Sequence, residues 1–212
     1  MLILSRHGNT FEANQTPVWV GARTDLPLTA EGMAQADRVA RWIQSSDFQL
    51  QKIISGPLKR TLQLSEVVSK ATSLPVTVDN RLRELDYGLW EGLSGDQIRE
   101  KFGPEELEGW EKLGAWPKNA GWPDTEQIVR DRLAGFLQDM HAASRNQDIF
   151  ACTSNGILRL MRSMITGQQG TWVETRVLPG RVCQLETTDK SWTITRWNDD
   201  PATLLSAAAE KT

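Results

Sequence analysis

Three short polar segments, each directly behind an apolar run, hold the residue types that phosphate chemistry needs. Arg6-His7-Gly8 follows Met1–Ser5, Ser55 to Arg60 follows Gln51–Ile54, and Thr153-Ser154-Asn155-Gly156 follows Asp148–Cys152. If the three apolar runs are strands of one open sheet, their carboxyl-end loops converge on a single crevice. That crevice then holds a histidine, two arginines and helix N-termini, which together favour an anion. A neutral imidazole is a competent nucleophile toward phosphorus. Neighbouring guanidinium groups keep it neutral near pH 7, hold the phosphate and offset charge building on its equatorial oxygens. A carboxylic acid is still required to protonate the leaving alkoxide. The Arg-His-Gly tripeptide alone does not establish this, because a lone histidine is more often structural.

The elements that must position these loops follow from periodicity. Buried strand-like runs alternate with helix-period segments, the pattern of a mostly parallel sheet covered by helices. Thr29 is placed to cap a helix reaching about Ser46, with Met33, Ala36, Ala40 and Ile43 on its inner face. Ser55-Gly56-Pro57 reads as a second helix start and Asp124–Gln127 as a capping box for a third, which carries Val129, Leu133, Phe136, Leu137 and Met140. Arg181–Thr187 and Trp192–Trp197 alternate as antiparallel strands around Thr188-Asp189-Lys190. Residues 94–123, rich in Gly, Pro and Trp, read as an insertion folded over the sheet edge with short helices, and the small, polar tail 201–212 as frayed. The expected architecture is one domain over 1–212, a three-layer α/β/α sandwich.

A chain of 212 residues with a net charge of −3 lacks the basic surplus of a nucleic-acid protein. No apolar run is long enough to span a membrane, and nothing resembles a signal peptide. Two cysteines, Cys152 and Cys183, lie in apolar stretches with no metal-type spacing, so a cytoplasmic home is expected.

Beyond these readings, Leu4-Ser5-Arg6-His7-Gly8-Asn9-Thr10 resembles the signature of the histidine phosphatase (phosphoglycerate mutase-like) superfamily. The likeness continues through Gly21–Thr29 with Gly32 and Gln35-Ala36, then Ser55–Thr61 with Gln63. Leu82–Gly92 is similar to the block bearing the proton donor in small phosphatases of the cobalamin-pathway type. Ordered matches cover residues 3–160. The resemblance implies His7 as the phosphohistidine nucleophile, Arg6 and Arg60 as phosphate ligands and Glu84 as the proton donor. It puts Arg23 and Thr24 at the substrate rim and implies that neither metal nor cofactor is needed. Asp86, two residues from Glu84 on an extended segment, competes for the acid role.

One departure matters. The family's second catalytic histidine falls on Ser154 when Gly156 and Arg159 are aligned. Ser154 and Asn155 then supply only neutral hydrogen bonds to the phosphate, aided by the N-terminus of the following helix. Losing one charge-assisted donor costs about 10²–10³ in rate. His141 lies late in a helix and reads as a residue bonded to a carbonyl or facing the helix dipole. An asparagine role is not carried to Asn14, because Ala13 holds the matching position. Trp110, Trp116 and Trp122 read as packing for the insertion, as a substrate lid, or as exposed groups for a homodimer.

The expected function is therefore a phosphomonoesterase acting on a small phosphorylated metabolite. The alternative is a phospho-ligand-binding or regulatory protein that kept the pocket and lost turnover. A phosphoglycerate-type mutase is less favoured, since a mutase must retain the intermediate and exclude water.

Overall fold

In a computed structural model, residues 1–166, 171–189 and 191–209 are described. Their centre is a six-stranded sheet of β1 (Leu2–Arg6), β2 (Leu50–Ser55), β3 (Val76–Val78), β4 (Asp148–Thr153), β5 (Val182–Thr187) and β6 (Trp192–Asp199). The strand order is β3-β2-β4-β1-β5-β6. The first four strands pair in parallel, and β5 and β6 add antiparallel pairs at one edge. Because β4 lies between β1 and β2, the loops after these three strands leave the same edge of the sheet side by side.

Alternation along the strands explains the layers. Leu2, Leu4, Ile54, Ile149 and Ala151 face one core, and Ile3, Ile53, Phe150 and Cys152 face the other. The first core is covered by α5 (Glu126–Ala143), α6 (Asn155–Thr166) and the insertion, and the second by α1 (Ala30–Ser45) and α2 (Lys59–Thr72). This is the expected three-layer sandwich. Cys152 and Cys183 are free, buried in opposite cores on strands separated by β1.

Several boundaries differ from the sequence reading for local reasons. Thr29 does cap α1, accepting a bond from the Gly32 amide at 3.1 Å, but Met33 turns outward at 37% exposure. Helix α2 starts later than Pro57, and its first amide, Lys59, donates to Asp25 Oδ1 at 2.6 Å. A distant carboxylate therefore replaces a local cap. Thr125, rather than Asp124, caps α5. The tail is not frayed over its described part. Residues Pro201–Ala209 form α7, whose Leu204 and Leu205 pack on the α1–α2 core. Proline at a first helical turn, two adjacent leucines and four alanines, the best helix formers, account for it. Lys190 of the expected turn and residues 210–212 of the tail lie outside the described residues. No helix among the described residues is long and apolar enough to cross a membrane.

The insertion comprises α3 (Gly95–Phe102), α4 (Pro104–Glu108) and a π-helical turn Gly109–Leu113. It packs into the α5–α6 core rather than lying on the sheet edge, through Ile98, Leu107, Trp110 and the half-buried Trp116 and Trp122. These three tryptophans meet edge to face at centroid distances of 4.8–5.8 Å. None of them is exposed.

One close crossing fixes the loop after β1. The Asn9 carbonyl accepts from the Thr29 amide at 2.9 Å, and a Cβ on Gly32 would stand 2.2 Å from that same carbonyl oxygen. Gly32→Ala is expected to lower unfolding stability by about 1–3 kcal/mol through this overpacking. A urea midpoint equal to that of the wild type would refute the crossing as a constraint.

Candidate active site

His7 leaves the end of β1 with its amide donating to Thr153 O on β4 at 3.1 Å. Its Nδ1 lies 2.8 Å from Gly8 O. A carbonyl can only accept, so Nδ1 carries the proton and Nε2 keeps the lone pair. Burial first, then Arg60 and Arg6, push the imidazole pKa well below its ordinary value. The ring is therefore neutral at pH 7 with its nucleophilic nitrogen unprotonated.

The two arginines are held by carbonyls and not by carboxylates. Arg60, the fully buried second residue of α2, donates to Thr24 O at 2.9 Å and Gly21 O at 3.1 Å. Arg6 donates Nη1 to Val177 O at 2.7 Å, while its buried Nε has no partner among the described residues. Burial lowers both pKa values, Arg6 to about 10, and Glu84 opposes that shift in each case. Desolvated guanidinium groups bound to neutral oxygens keep most of their charge for a ligand.

Glu84 reaches the same place from the other core. The turn before it is pinned by Thr153 Oγ1 donating to Leu82 O at 2.7 Å and by Arg132 donating to Arg83 O at 2.9 Å. Its carboxylate accepts from the Leu85 amide at 2.9 Å and the Gly156 amide at 3.2 Å, at the start of α6. A Cβ on Gly156 would meet Glu84 Oε1 at 2.5 Å and the Tyr87 hydroxyl at 2.8 Å, so only glycine lets both oxygens approach. Asp86 is engaged elsewhere: it accepts from the Gly88 amide at 2.9 Å and pairs with Arg23 at 3.1 Å. The structure thus separates the two acids that sequence left in competition.

Ser154 is fully buried between β4 and α6, and its hydroxyl has no partner among the described residues. Asn155 spends its Oδ1 on the Val177 amide at 2.9 Å, leaving the side-chain NH2 free to donate. Thr24 contributes its carbonyl to Arg60. Arg23 is committed to Asp86, Glu91 and the Gly88 carbonyl, and no contact ties it to His7. His141 sits far from these groups, within 3.0 Å of Thr188 O.

Sequence reasoning did not single out Tyr87 or Arg176. Tyr87 lay inside the block that carried Glu84, whereas Arg176 belongs to no motif. It borders Val177, whose amide and carbonyl are clamped by Asn155 and Arg6. No group of His, Cys, Asp or Glu among the described residues is arranged to hold a metal.

A neutral imidazole, two desolvated arginines and a carboxylate at a helix start thus stand at one edge of the sheet. The family model of the histidine phosphatase superfamily (branch 1) matches residues 2–200. The chain belongs to that superfamily, and phosphatase is the activity class its relatives support. An uncharacterized phosphatase, PhoE, of Bacillus subtilis (strain 168) is 27% identical over 195 residues, covering 92% of each chain. Phosphoserine phosphatase 1 of Hydrogenobacter thermophilus is 29% identical over 166 residues, 78% of this chain and 76% of its own. A 2,3-bisphosphoglycerate-dependent phosphoglycerate mutase of Latilactobacillus sakei is 36% identical, but over 51% of this chain and 47% of its own. In fold, the α-ribazole phosphatase of Shigella flexneri superposes with a TM-score of 0.73 at 24% identity, covering 94% of this chain and 96% of that one. A mycobacterial glucosyl-3-phosphoglycerate phosphatase does so with 0.78 at 22%, covering 93% and 98%.

Proposed function

We propose that the chain is a metal-independent phosphomonoesterase that works through a phosphohistidine at His7 on a small phosphorylated metabolite in the cytoplasm. The observation that carries this reading is the Nδ1–Gly8 bond, which leaves Nε2 unprotonated between two arginines. His7 Nε2 attacks phosphorus and the P–O ester bond breaks. Glu84 gives its proton to the departing alkoxide, so the alcohol leaves neutral. Water then attacks the phosphohistidine, the N–P bond breaks, and Glu84 takes the water proton as inorganic phosphate forms. Arg6 and Arg60 hold the equatorial oxygens through both steps, with Asn155, Ser154 and the start of α6 as neutral donors. Matches to phosphatases along most of the chain favour hydrolysis, whereas the mutase match spans half of it.

Trapping tests this directly. Brief mixing with a phosphomonoester labelled in its phosphoryl group, followed by alkaline quench, is expected to leave acid-labile label on His7. Absence of label under single-turnover conditions, with phosphate still released, would replace the covalent route by direct water attack.

Ser154 favours the regulatory reading as the alternative, and one variant decides between them. Ser154→His is expected to raise kcat by about 10²–10³ if a missing charged donor limits the rate. Thermal midpoints of the two proteins check that the buried site accepts the ring. An unchanged, near-zero kcat in a folded variant would favour ligand binding without turnover.

A further inference from the structure

Beside the phosphate site lies a cavity of about 410 Å³, bounded by Arg6, Trp19, Tyr87, Trp110, Arg159 and Arg176. None of the three arginines is within 4.0 Å of a carboxylate among the described residues. Buried arginine is ordinarily paired. Arg159, 5% exposed, instead donates Nε to Thr175 Oγ1 at 3.1 Å and one Nη2 to Glu111 O at 2.7 Å and Trp172 O at 3.1 Å. Its guanidinium carbon lies over the Trp172 ring, 4.5 Å from the centroid. Among the described residues Glu111 is the only acid on the cavity wall, and Lys112 on that wall is occupied by Glu108 at 2.6 Å.

The proton equilibria agree with this surplus. Burial pushes Arg159 down to about 10 against the opposing pull of Tyr87 and Glu111, and it lowers Arg6 against Glu84, with the charge of Arg176 adding a smaller lowering to each. Arg6 is committed to the transferring phosphate in the proposed reaction, which leaves Arg159 and Arg176 with no anion to meet. Arg176 is exposed, yet its backbone is immobilised, because its amide donates to Val173 O and the next residue is clamped by Asn155 and Arg6. Tyr87 completes the wall. Its ring is gripped edge to face by Trp19 at 4.8 Å and Trp122 at 5.1 Å, and its hydroxyl donates to no side chain or backbone atom among the described residues.

We infer that this cavity takes the alcohol portion of the substrate, and that Arg159 and Arg176 select phosphomonoesters bearing a second anionic group, a carboxylate or a further phosphate. Tyr87 offers that portion a neutral hydrogen bond, and Trp19 and Trp110 form apolar walls that exclude water and strengthen the charge pairing. The inference rests on the phosphomonoesterase reading for its placement of the reacting phosphate.

Three probes of one skeleton test it: phenyl phosphate, 4-carboxyphenyl phosphate and 1,4-phenylene bisphosphate. At least one doubly anionic probe is expected to exceed phenyl phosphate in kcat/KM by about tenfold or more, and the favoured arm identifies the second anion. Arg176→Ala should reduce that preference several-fold, and Arg176→Glu should turn it against the charged probes. Equal kcat/KM for all three probes, or an Arg176→Ala loss shared equally by all three, would overturn the inference. If none of the probes is hydrolysed, the phosphatase reading fails by itself. Calorimetric Kd values for the same probes then decide the subsite, tenfold tighter binding of a doubly anionic probe supporting it and equal binding refuting it.

Discussion

Replacing His7 with alanine is expected to cut phosphate release from phosphomonoesters by about 10⁴- to 10⁶-fold, the scale seen when a covalent nucleophile is removed. The variant keeps Arg6 and Arg60, whose carbonyl contacts do not involve the imidazole, so inorganic phosphate should still inhibit or bind within several-fold of wild type. Losing rate while keeping phosphate affinity separates a nucleophile from a binding group. His141 cannot take over, since its Nε2 lies on the Thr188 and Ser191 carbonyls and its ring against Trp192. The wild-type pH profile carries a linked signature. Protonation removes the attacking lone pair, and burial with two neighbouring cations delays protonation to well below the ordinary histidine range. The kcat/KM of the wild type should therefore show no histidine limb near pH 6.5 and fall only at lower pH. Comparable phosphate release from wild type and His7→Ala would sink the enzyme reading.

How much of this was legible beforehand depended on whether the cause was local. Strand β2 has only Ile53 and Ile54 as buried apolar residues, whereas β1 and β4 are nearly continuous apolar runs because both of their faces are buried, and such runs announce themselves. Strand β3 did not, being three residues at the sheet edge with Thr77 and Val78 outside the core. The start of α2 was misread because its cap is Asp25, thirty-four residues upstream. Helix α7 carries little sequence signal because its only large apolar residues are Leu204 and Leu205, among small ones. The site divides the same way. Arg6, His7, Arg60, Glu84 and Ser154 stand at strand ends or in ordered blocks, and the structure brings them to one edge of the sheet. Arg176 was invisible, since its position follows from Arg6 reaching Val177 across 171 residues. The choice between Glu84 and Asp86 needed Arg23, which only the fold brings to Asp86.

That choice yields the second large effect. Glu84→Gln is expected to lower kcat by about 10²–10⁴ for alkyl phosphates, whose alkoxide must be protonated to depart. For p-nitrophenyl phosphate, whose phenolate leaves unaided, the loss should stay within about tenfold. The contrast is needed because the substitution also disturbs structure. Both carboxylate oxygens accept backbone bonds, from Leu85 and Gly156, and an amide can accept with only one of its two ends. Misplacing the start of α6 would slow every ester alike, whereas loss of a proton donor slows esters in order of leaving-group basicity. Asp86→Asn serves as the companion measurement. With Asp86 turned toward Arg23 and the Gly88 amide, the change should leave the leaving-group dependence intact. A uniform loss in Glu84→Gln, joined by a leaving-group-dependent loss in Asp86→Asn, would transfer the acid role to Asp86.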